Sequence, residues 1–564
     1  MTESARIWPG VDRLRGASAW TIVLLAIAAS ISGITNGFAL DDVHIIVEND
    51  RVHSLANAWR VFVQTYWPPE EGSSLYRPFT SLGFVLQWTV GGGSPLPFHI
   101  VSIALYAMVS VAVLRFAETI VEWPVAWVAA ALFAVHPLHV EVVANAVGQA
   151  ELWAALLAIP AATRFIRARR SGGLSGRDVA VISALFGGSL MFKEHVIVLP
   201  AILIAVELIT GRGSVASRMR AIGPLLGVMS AVAIGFILVR TTVIGNLEGA
   251  GVSPIFVDQP FTTRFFTMLR VFMEWIRLFY WPAQLAADYS PPRIQIATSF
   301  EADMLPGLVV LPALALIAFH VRRTVPAVTL SLAWAGIALL IPSNLIVVTG
   351  FVLAERALFL ASVGVMIATA AILDGIIRLV VDERPAAPKW IAAAVAVFLA
   401  LGIARSSTRN VVWRDNAALI VQTVDDSPTS ARAHMMMAQL HSERGRMREA
   451  LEETMIAVKL GPKTDHQLLA FSADMFQMGG KCVVANDLYR ESLALEPDQP
   501  QVRLNAAICL AQTGEFSRAR ATARGGSSSK PIDPQLARIA QLSDSMLAGA
   551  EKTGSSRPGS SGPN

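Results

Sequence analysis

The sequence predicts an all-α membrane protein in two parts, a polytopic bundle of about eleven transmembrane helices followed by a helical-repeat solenoid. Three observations predict it. Of the 564 residues, 54% are hydrophobic and only 16% charged, far too apolar for an ordinary soluble chain. The long apolar runs stop near residue 406, where a charged, Ala-rich region takes over. Within that region Pro428, Pro462, Pro497 and Pro531 recur every 34 or 35 residues.

Apolar runs at roughly 17–36, 97–117, 122–136, 149–166, 178–192, 195–209, 221–240, 304–320, 325–342, 357–380 and 389–404 are the expected spans. The first has no convincing cleavage pattern and is read as a retained span. Phe79 to Val90 and Phe261 to Trp281 are short or interrupted by charge, so they are expected to form partial or interfacial helices. Arg6, Arg13 and Arg15, then "RFIRARRSGGLSGR", "GRGSVASRMR", "HVRRT" and "ERPAAPK", all fall on one side of this bundle. The positive-inside rule makes that side cytoplasmic. These loop arginines account for the net charge of +4, and the pattern is topological rather than a nucleic-acid surface. An odd number of spans then puts the first long loop, "HPLHVE", the loops after Lys193, Arg240 and Asn344, and the repeats on the outer face.

The membrane domain is expected over 1–405, with its first outer loop over about 37–79. In that loop Ser54 caps a predicted helix whose Leu55, Trp59, Phe62 and Tyr66 form an apolar stripe suited to a membrane surface. Residues 406–428 are expected as a linker. Three repeats and a capping helix follow over 429–548, and Gly445, Gly480, Gly514 and Ala450, Ala485, Ala519 keep step with the prolines. That period is the tetratricopeptide signature, a solenoid that binds peptides or protein surfaces and has no chemistry of its own. The polar stretch 549–564 is expected to be disordered. The two cysteines, Cys482 and Cys509, lie on different predicted helices, which excludes a disulfide framework.

Candidate chemistry clusters on the outer face. "ITNGFALDDVHIIVEND" puts Asp41 and Asp42 where the first span leaves the membrane, and a carboxylate partly withdrawn from water can take a proton from a hydroxyl. In "FAVHPLHVEVVANAVGQAELWAALL" Pro137 suits a first helical position, and Glu141, Asn145 and Gln149 at i, i+4 and i+8 predict one polar stripe lining a cavity. His136, His139 and Glu141 are weak evidence for a metal. "MFKEHV" places Lys193 and Glu194, and "GFVLAERALFLASVG" places Glu355 and Arg356, between apolar runs. Either pair serves as an internal salt bridge or as part of a phosphate site, and Arg356, Lys193 and Arg240 are the candidate phosphate-binding cations. There is no Walker loop, Rossmann glycine pattern, HExxH or GxSxG, so a nucleotide-driven machine has no support.

The ordered succession "DDVHIIVEND", "YRPFTSLGFVLQW", "PFHIVSIALYAMVS", "FAVHPLHVEVVANAVGQAELWAALLA", "FKEHVIVLPAIL", "SNLIVVTGFVLAERALFLASVG" and then tetratricopeptide repeats resembles the transmembrane and tetratricopeptide-repeat O-mannosyltransferases. Gln149 stands where that family's pattern has Arg. The resemblance implies a GT-C glycosyltransferase that transfers mannose or another hexose from a polyprenyl-phosphate sugar to Ser or Thr hydroxyls of acceptor proteins. An Asp of the first outer loop, Asp41 or Asp42, would be the base, with Asp42 slightly favoured. The Arg-, Ala- and Pro-rich, Lys-poor composition and the lack of an ER retrieval signal suggest a bacterial inner-membrane protein with site and repeats on the periplasmic side. A divalent metal fits only if Asp41, Asp42 and Glu141 converge, and departure of the phosphate without metal fits equally well. A non-catalytic membrane scaffold, a transferase acting on a glycolipid and a transporter are the rival readings.

Overall fold

A computed structural model describes residues 16–68, 75–245, 255–256, 259–383, 387–525 and 534–554. Among these, helices are the only regular element, and the chain divides into two compact units, 1–287 with 296–422, and 288–295 with 423–564.

The first unit is built from α1 (Ser18–Ser30), α2 (Pro78–Gly91), α3 (Leu96–Ala117), α4 (Trp123–Ala134), α5 (Val140–Ala144), α6 (Gln149–Arg170), α7 (Gly176–Phe192), α8 (Leu199–Thr210), α9 (Val215–Ile244), α10 (Phe261–Tyr280), α11 (Leu305–Val321), α12 (Pro326–Ala338), α13 (Phe359–Glu383), α14 (Ala387–Val412) and α15 (Asn416–Asp426), the last ending just past the boundary. Each of the eleven expected spans coincides with a helix, but length and apolar composition qualify fewer of them to cross a bilayer. Among the described residues six helices meet that test, or seven if the bent pair Trp123–Ala134 and Pro137–Ala144 is one span, with Ser18–Gly33 and Pro326–Ala338 as shorter apolar helices. The shortfall has physical causes. The α8 helix has only 12 residues, and the 17-residue α7 begins with Arg177 and Asp178 and contains Gly187, Gly188 and Ser189.

At the heart of this unit α4 packs against α1, α3 and α13, while α6 packs against α3 and α7. Ala126, Ala129, Ala130, Ala131 and Ala134 of α4 are fully buried. Small side chains let helix backbones approach where lipid supplies no hydrophobic drive of its own. The start of the unit is tied to its end, because Asn36 Nδ2 donates to the Asn410 carbonyl at 2.9 Å and Asn410 Nδ2 to the Ala29 carbonyl at 2.9 Å.

Two sequence expectations change here. Residues 406–428 are not a linker, since α14 continues to Val412 and α15 follows. The first outer loop does not form one amphipathic helix. Ser54 does cap, accepting from the Ala56 amide at 3.2 Å, but the chain then makes separate short turns, Leu55–Asn57 and Arg60–Phe62. Leu55, Trp59, Phe62 and Val63 are exposed, whereas Tyr66 is buried in a core with Ile46, Val61, Phe84 and Phe98.

The second unit carries the helix pairs α16 (Ala431–Glu443) and α17 (Met447–Leu460), α18 (His466–Met478) and α19 (Cys482–Leu495), and α20 (Pro500–Gln512) and α21 (Phe516–Arg524), closed by α22 (Pro534–Gly554). The glycines between paired helices, Gly445, Gly480 and Gly514, have φ of 70°, 70° and 81°, a left-handed backbone that costs other residues energy. The alanines in phase with them, Ala450, Ala485 and Ala519, are fully buried where the helices touch. Pro531 and most of the 549–564 stretch lie outside the described residues. One expectation is overturned, because Cys482 and Cys509 form a disulfide with a Cα–Cα distance of 5.2 Å. Different helices did not preclude it. Successive solenoid helices run antiparallel, so the first turn of α19 lies beside the last turn of α20.

Candidate active site

The chain leaving α1 is held by backbone bonds before it reaches the two carboxylates. The Gly37 amide donates to the Arg414 carbonyl at 2.6 Å, and the Leu40 amide to Asn416 Oδ1 at 3.1 Å. Leu40 itself has φ of 54°, a strained left-handed conformation for a branched side chain that only well-fixed surroundings maintain. Adjacent residues then face different partners.

Asp42 is fully buried. Its Oδ2 accepts from the Ala146 amide at 2.9 Å and its Oδ1 from the Val147 amide at 2.8 Å. Burial pushes its carboxyl up to about 7, against the pull of those two amides. Asp41 retains 15% side-chain exposure, and its Oδ2 accepts from Arg356 Nη1 at 2.9 Å.

The amides that hold Asp42 exist because the chain breaks where a continuous polar stripe was expected. His136 to Gln149 is not one helix. It runs through a turn at Pro137–His139, the short α5, and a second turn at Ala146–Gly148 before α6 starts. Asn145 is extended, with φ −91° and ψ 121°, and its side chain accepts from the Val147 amide. A Cβ on Gly148 would stand 2.1 Å from the Val142 carbonyl oxygen, so only glycine lets the chain double back this closely. Glu141, Asn145 and Gln149 therefore do not share a face. Glu141 Oε2 accepts from the Arg356 amide at 2.9 Å, and its Oε1 lies 3.4 Å from Arg356 Nη1. Gln149 exchanges hydrogen bonds with Gln87 at 2.8 and 2.9 Å and reaches the Phe98 carbonyl, a closed amide network within the bundle.

Arg356 sits in the turn Glu355–Leu358 that opens α13, joining Asp41 to Glu141. Its described side-chain contacts use Nη1 alone, so the Nη2 and Nε edges of the guanidinium are unspent. Its neighbour Glu355 turns away, and Glu355 Oε1 accepts from the Ala286 amide at 2.6 Å. Lys193, at the end of α7, pairs with Glu151 and lies within electrostatic range of Arg77, Arg356, Glu194 and Glu141. Arg77 grips Glu194 with two bonds of 3.0 and 2.7 Å, and its guanidinium lies 5.2 Å from the Tyr66 ring. Burial raises the Glu194 carboxyl, but the Arg77 charge and fork outweigh it and hold the group below its ordinary range. The Tyr66 hydroxyl is buried without a hydrogen-bond partner among the described residues and feels the charges of Arg77, Asp41, Asp42 and Arg356. Arg240 lies near the end of α9, one turn beyond Phe236, whose ring touches Tyr76 next to Arg77.

Arg77 and Glu151 are not among the candidate site residues expected from the sequence, and Tyr66 was expected on a membrane-surface stripe rather than beside these charges. Arg77 carried a signal, since an Arg directly before Pro78 marks a helix start inside an apolar stretch. Glu151 carried none, because its partner is 42 residues away.

The histidines are structural in this arrangement. His136 Nε2 bonds the Phe279 carbonyl at 2.9 Å, while His139 bonds Ser362 Oγ at 2.9 Å and Tyr106 at 3.0 Å. Among the described residues no three His, Cys, Asp or Glu side chains gather as a metal site. Asp41, Asp42 and Glu141 do not converge as ligands either, because Asp42 is spent on amides and the other two on Arg356. A divalent ion therefore does not fit these residues as arranged.

Comparison with known proteins agrees with both units. The tetratricopeptide repeat family model matches residues 480–542. A protein O-mannosyl-transferase of Caenorhabditis elegans is 25% identical over 456 residues, covering 78% of this chain and 62% of the relative. Protein O-mannosyl-transferase TMTC1 of Homo sapiens is 25% identical over 472 residues, covering 76% and 53%. Protein O-mannosyl-transferase Tmtc2 of Drosophila melanogaster is 30% identical over 293 residues, covering 49% and 30%. The chain thus spans less than two thirds of the length of each of these relatives. In its apolar helices, its repeats and its sequence, the chain is similar to the transmembrane and tetratricopeptide-repeat protein O-mannosyl-transferases.

Proposed function

We propose that the protein transfers a hexose, mannose by the names of its relatives, from a polyprenyl-phosphate donor to Ser or Thr hydroxyls of proteins on the outer face of the membrane. The observation that carries this reading is the partly exposed Asp41–Arg356–Glu141 cluster, drawn together from three distant segments. A hydroxyl is a poor nucleophile, so a carboxylate at hand and a cation for the departing phosphate are the two things the reaction needs.

Asp41 is the base in this mechanism. It takes the acceptor proton as the hydroxyl oxygen bonds to C1 of the sugar, while the C1–O bond breaks and the lipid phosphate leaves with the electron pair. A single displacement of this kind inverts the configuration at C1. The unspent Nη2 and Nε edges of Arg356 meet the phosphate, with Lys193 and Arg77 adding positive charge nearby. Asp42 positions the loop rather than reacting, since both its oxygens are occupied and none of it is exposed.

The donor's polyprenyl tail stays in the bilayer beside the exposed Leu55, Trp59 and Phe62. The eleven-span topology, an inner membrane of bacterial type and a periplasmic site complete the proposal. Support for that placement comes from the arginine-rich loops on one side and from the Cys482–Cys509 bond, which suits an oxidising compartment. The repeats would bring acceptor proteins to the membrane domain. The test uses the purified protein in vesicles with a polyprenyl-phosphate mannose and a Ser/Thr-rich acceptor protein, read by mass spectrometry. Mannose on Ser or Thr, lost in Asp41→Asn, is the expected result. Transfer to lipid alone, or no consumption of donor, would overturn it.

A further inference from the structure

At the far end of the bundle from Asp41, two cavities of about 660 and 490 Å³ adjoin one another and share Arg115 and Arg167 in their walls. The distance is set by α6, whose first residues adjoin the Asp42 loop and whose last turn carries Arg167 and Arg170. Its 22 residues span about 33 Å. Arg115 lies in the last turn of α3, and both α3 and α6 belong to candidate membrane spans, so the cavities stand at the depth where an apolar span gives way to water.

The charges here are unequally matched. Three carboxylates line the cavities, and each has a cation. Glu118 pairs with Arg115 at 3.0 Å, Asp178 with Arg164 at 2.8 Å, and Glu122 with Arg378 at 3.2 Å. The guanidiniums of Arg167 and Arg170 have no hydrogen bond or ion pair among the described residues. Two further donors in the walls, Trp123 Nε1 and Arg164 Nε, are buried without a partner. Four unsatisfied donor groups around one joined space make it receptive to a multi-oxygen anion. Ala112, Pro160 and Ala168 supply an apolar wall on the same side.

We propose that this joined cavity binds the phosphate headgroup of an anionic membrane lipid, whose acyl chain lies along the apolar wall. Basic pockets between helices at the cytoplasmic boundary recognise such headgroups through arginine forks, and the depth and donor set match that chemistry. The site is separate from the proposed transfer chemistry and does not depend on it.

Native mass spectrometry of the full-length protein in neutral detergent tests it, with phosphatidylglycerol, phosphatidylcholine and inorganic phosphate as probes. The wild type is expected to retain phosphatidylglycerol at least about fivefold better than phosphatidylcholine, a difference of about 1 kcal/mol. Arg167→Gln and Arg170→Gln should each weaken that preference, and R167A/R170A should abolish it. Both side chains are exposed, so these changes leave the fold intact. R212A/R220A, which removes two other exposed arginines, should leave the preference unchanged. Equal retention by wild type and R167A/R170A, equal loss in R212A/R220A, or displacement of the lipid by an equal concentration of inorganic phosphate would overturn the proposal.

Discussion

The two ends of the helix bundle differ in how completely their charges are matched. Around Asp41 the ion pairs join residues far apart in the chain, 315 residues for Asp41–Arg356 and 117 for Arg77–Glu194. Around Arg115 the pairing is mixed: Arg115–Glu118 is local at i, i+3, Arg164–Asp178 joins neighbouring helices, and Arg378 reaches both Asp374 at i, i+4 and Glu122 far away in the chain. Long-range pairs fix loops from separate helices against one another and so assemble a site. Around Arg115 every wall carboxylate already has its cation, and the guanidiniums of Arg167 and Arg170, unpaired among the described residues, remain available to something outside the protein. A carboxylate can belong to either kind of duty even next to its neighbour, as Asp41 and Asp42 illustrate.

The largest expected effect separates those two aspartates. Asp41→Asn should slow transfer by about 10²- to 10⁴-fold, some 3–5 kcal/mol of activation energy. Its melting temperature should be unchanged, because a partly exposed hydrogen-bonded pair is retained in form. Asp42→Asn should instead lower thermal stability and transfer together, since the new amide nitrogen faces a backbone N–H. If Asp42→Asn abolished transfer in a protein of normal stability while Asp41→Asn remained active, the roles assigned here would be reversed.

Next in size is a pH effect. With its carboxyl raised from an ordinary 3.8 to about 7, Asp42 binds its proton more tightly in the folded chain than in the unfolded one. Its contribution to stability is therefore fully present below about pH 4 and is lost as pH rises through about 7, by at most about 4 kcal/mol. Unfolding measured from pH 4 to pH 8 should show this decline in the wild type, and the slope should vanish in Asp42→Asn. Arg356→Ala comes third. Leaving Asp41 and Glu141 without their shared cation should cost about 3 kcal/mol, and the loss should be partly restored by adding Glu141→Gln. Smallest, and confined to the repeats, is Cys482→Ser with Cys509→Ser. Opening a loop with a sequence separation of 27 should lower repeat stability by about 2–3 kcal/mol and leave the membrane unit's unfolding unchanged.

The repeats were legible because their evidence repeats. One Gly in a left-handed turn is a weak signal, but Gly445, Gly480 and Gly514 keeping phase with buried alanines leaves little else for the segment to be. The break at 145–148 was not legible, because Glu141, Asn145 and Gln149 have helical spacing whether or not a helix connects them. What decides the matter is the close contact between Gly148 and the Val142 carbonyl, together with the carboxylate of Asp42 waiting for two free amides. Neither is visible in a window of local sequence. Arg356 and Lys193 could be named as cations in apolar surroundings, yet nothing in their neighbourhoods named Asp41, Glu141 or Glu151 as partners. The cysteine pair escaped for the same reason, since proximity between antiparallel helices is a property of the stack.

The hold on Asp42 is made by main-chain amides, not by side chains, and this shapes how the protein can vary. Ala146 and Val147 contribute through atoms that every residue except proline possesses, so a library randomised at these two positions should return many small apolar substitutes with full activity. Position 148 should return glycine almost alone, and position 42 should return aspartate. A loop of this kind can drift in sequence while keeping its shape, which makes the geometry more durable than any motif that could be written for it.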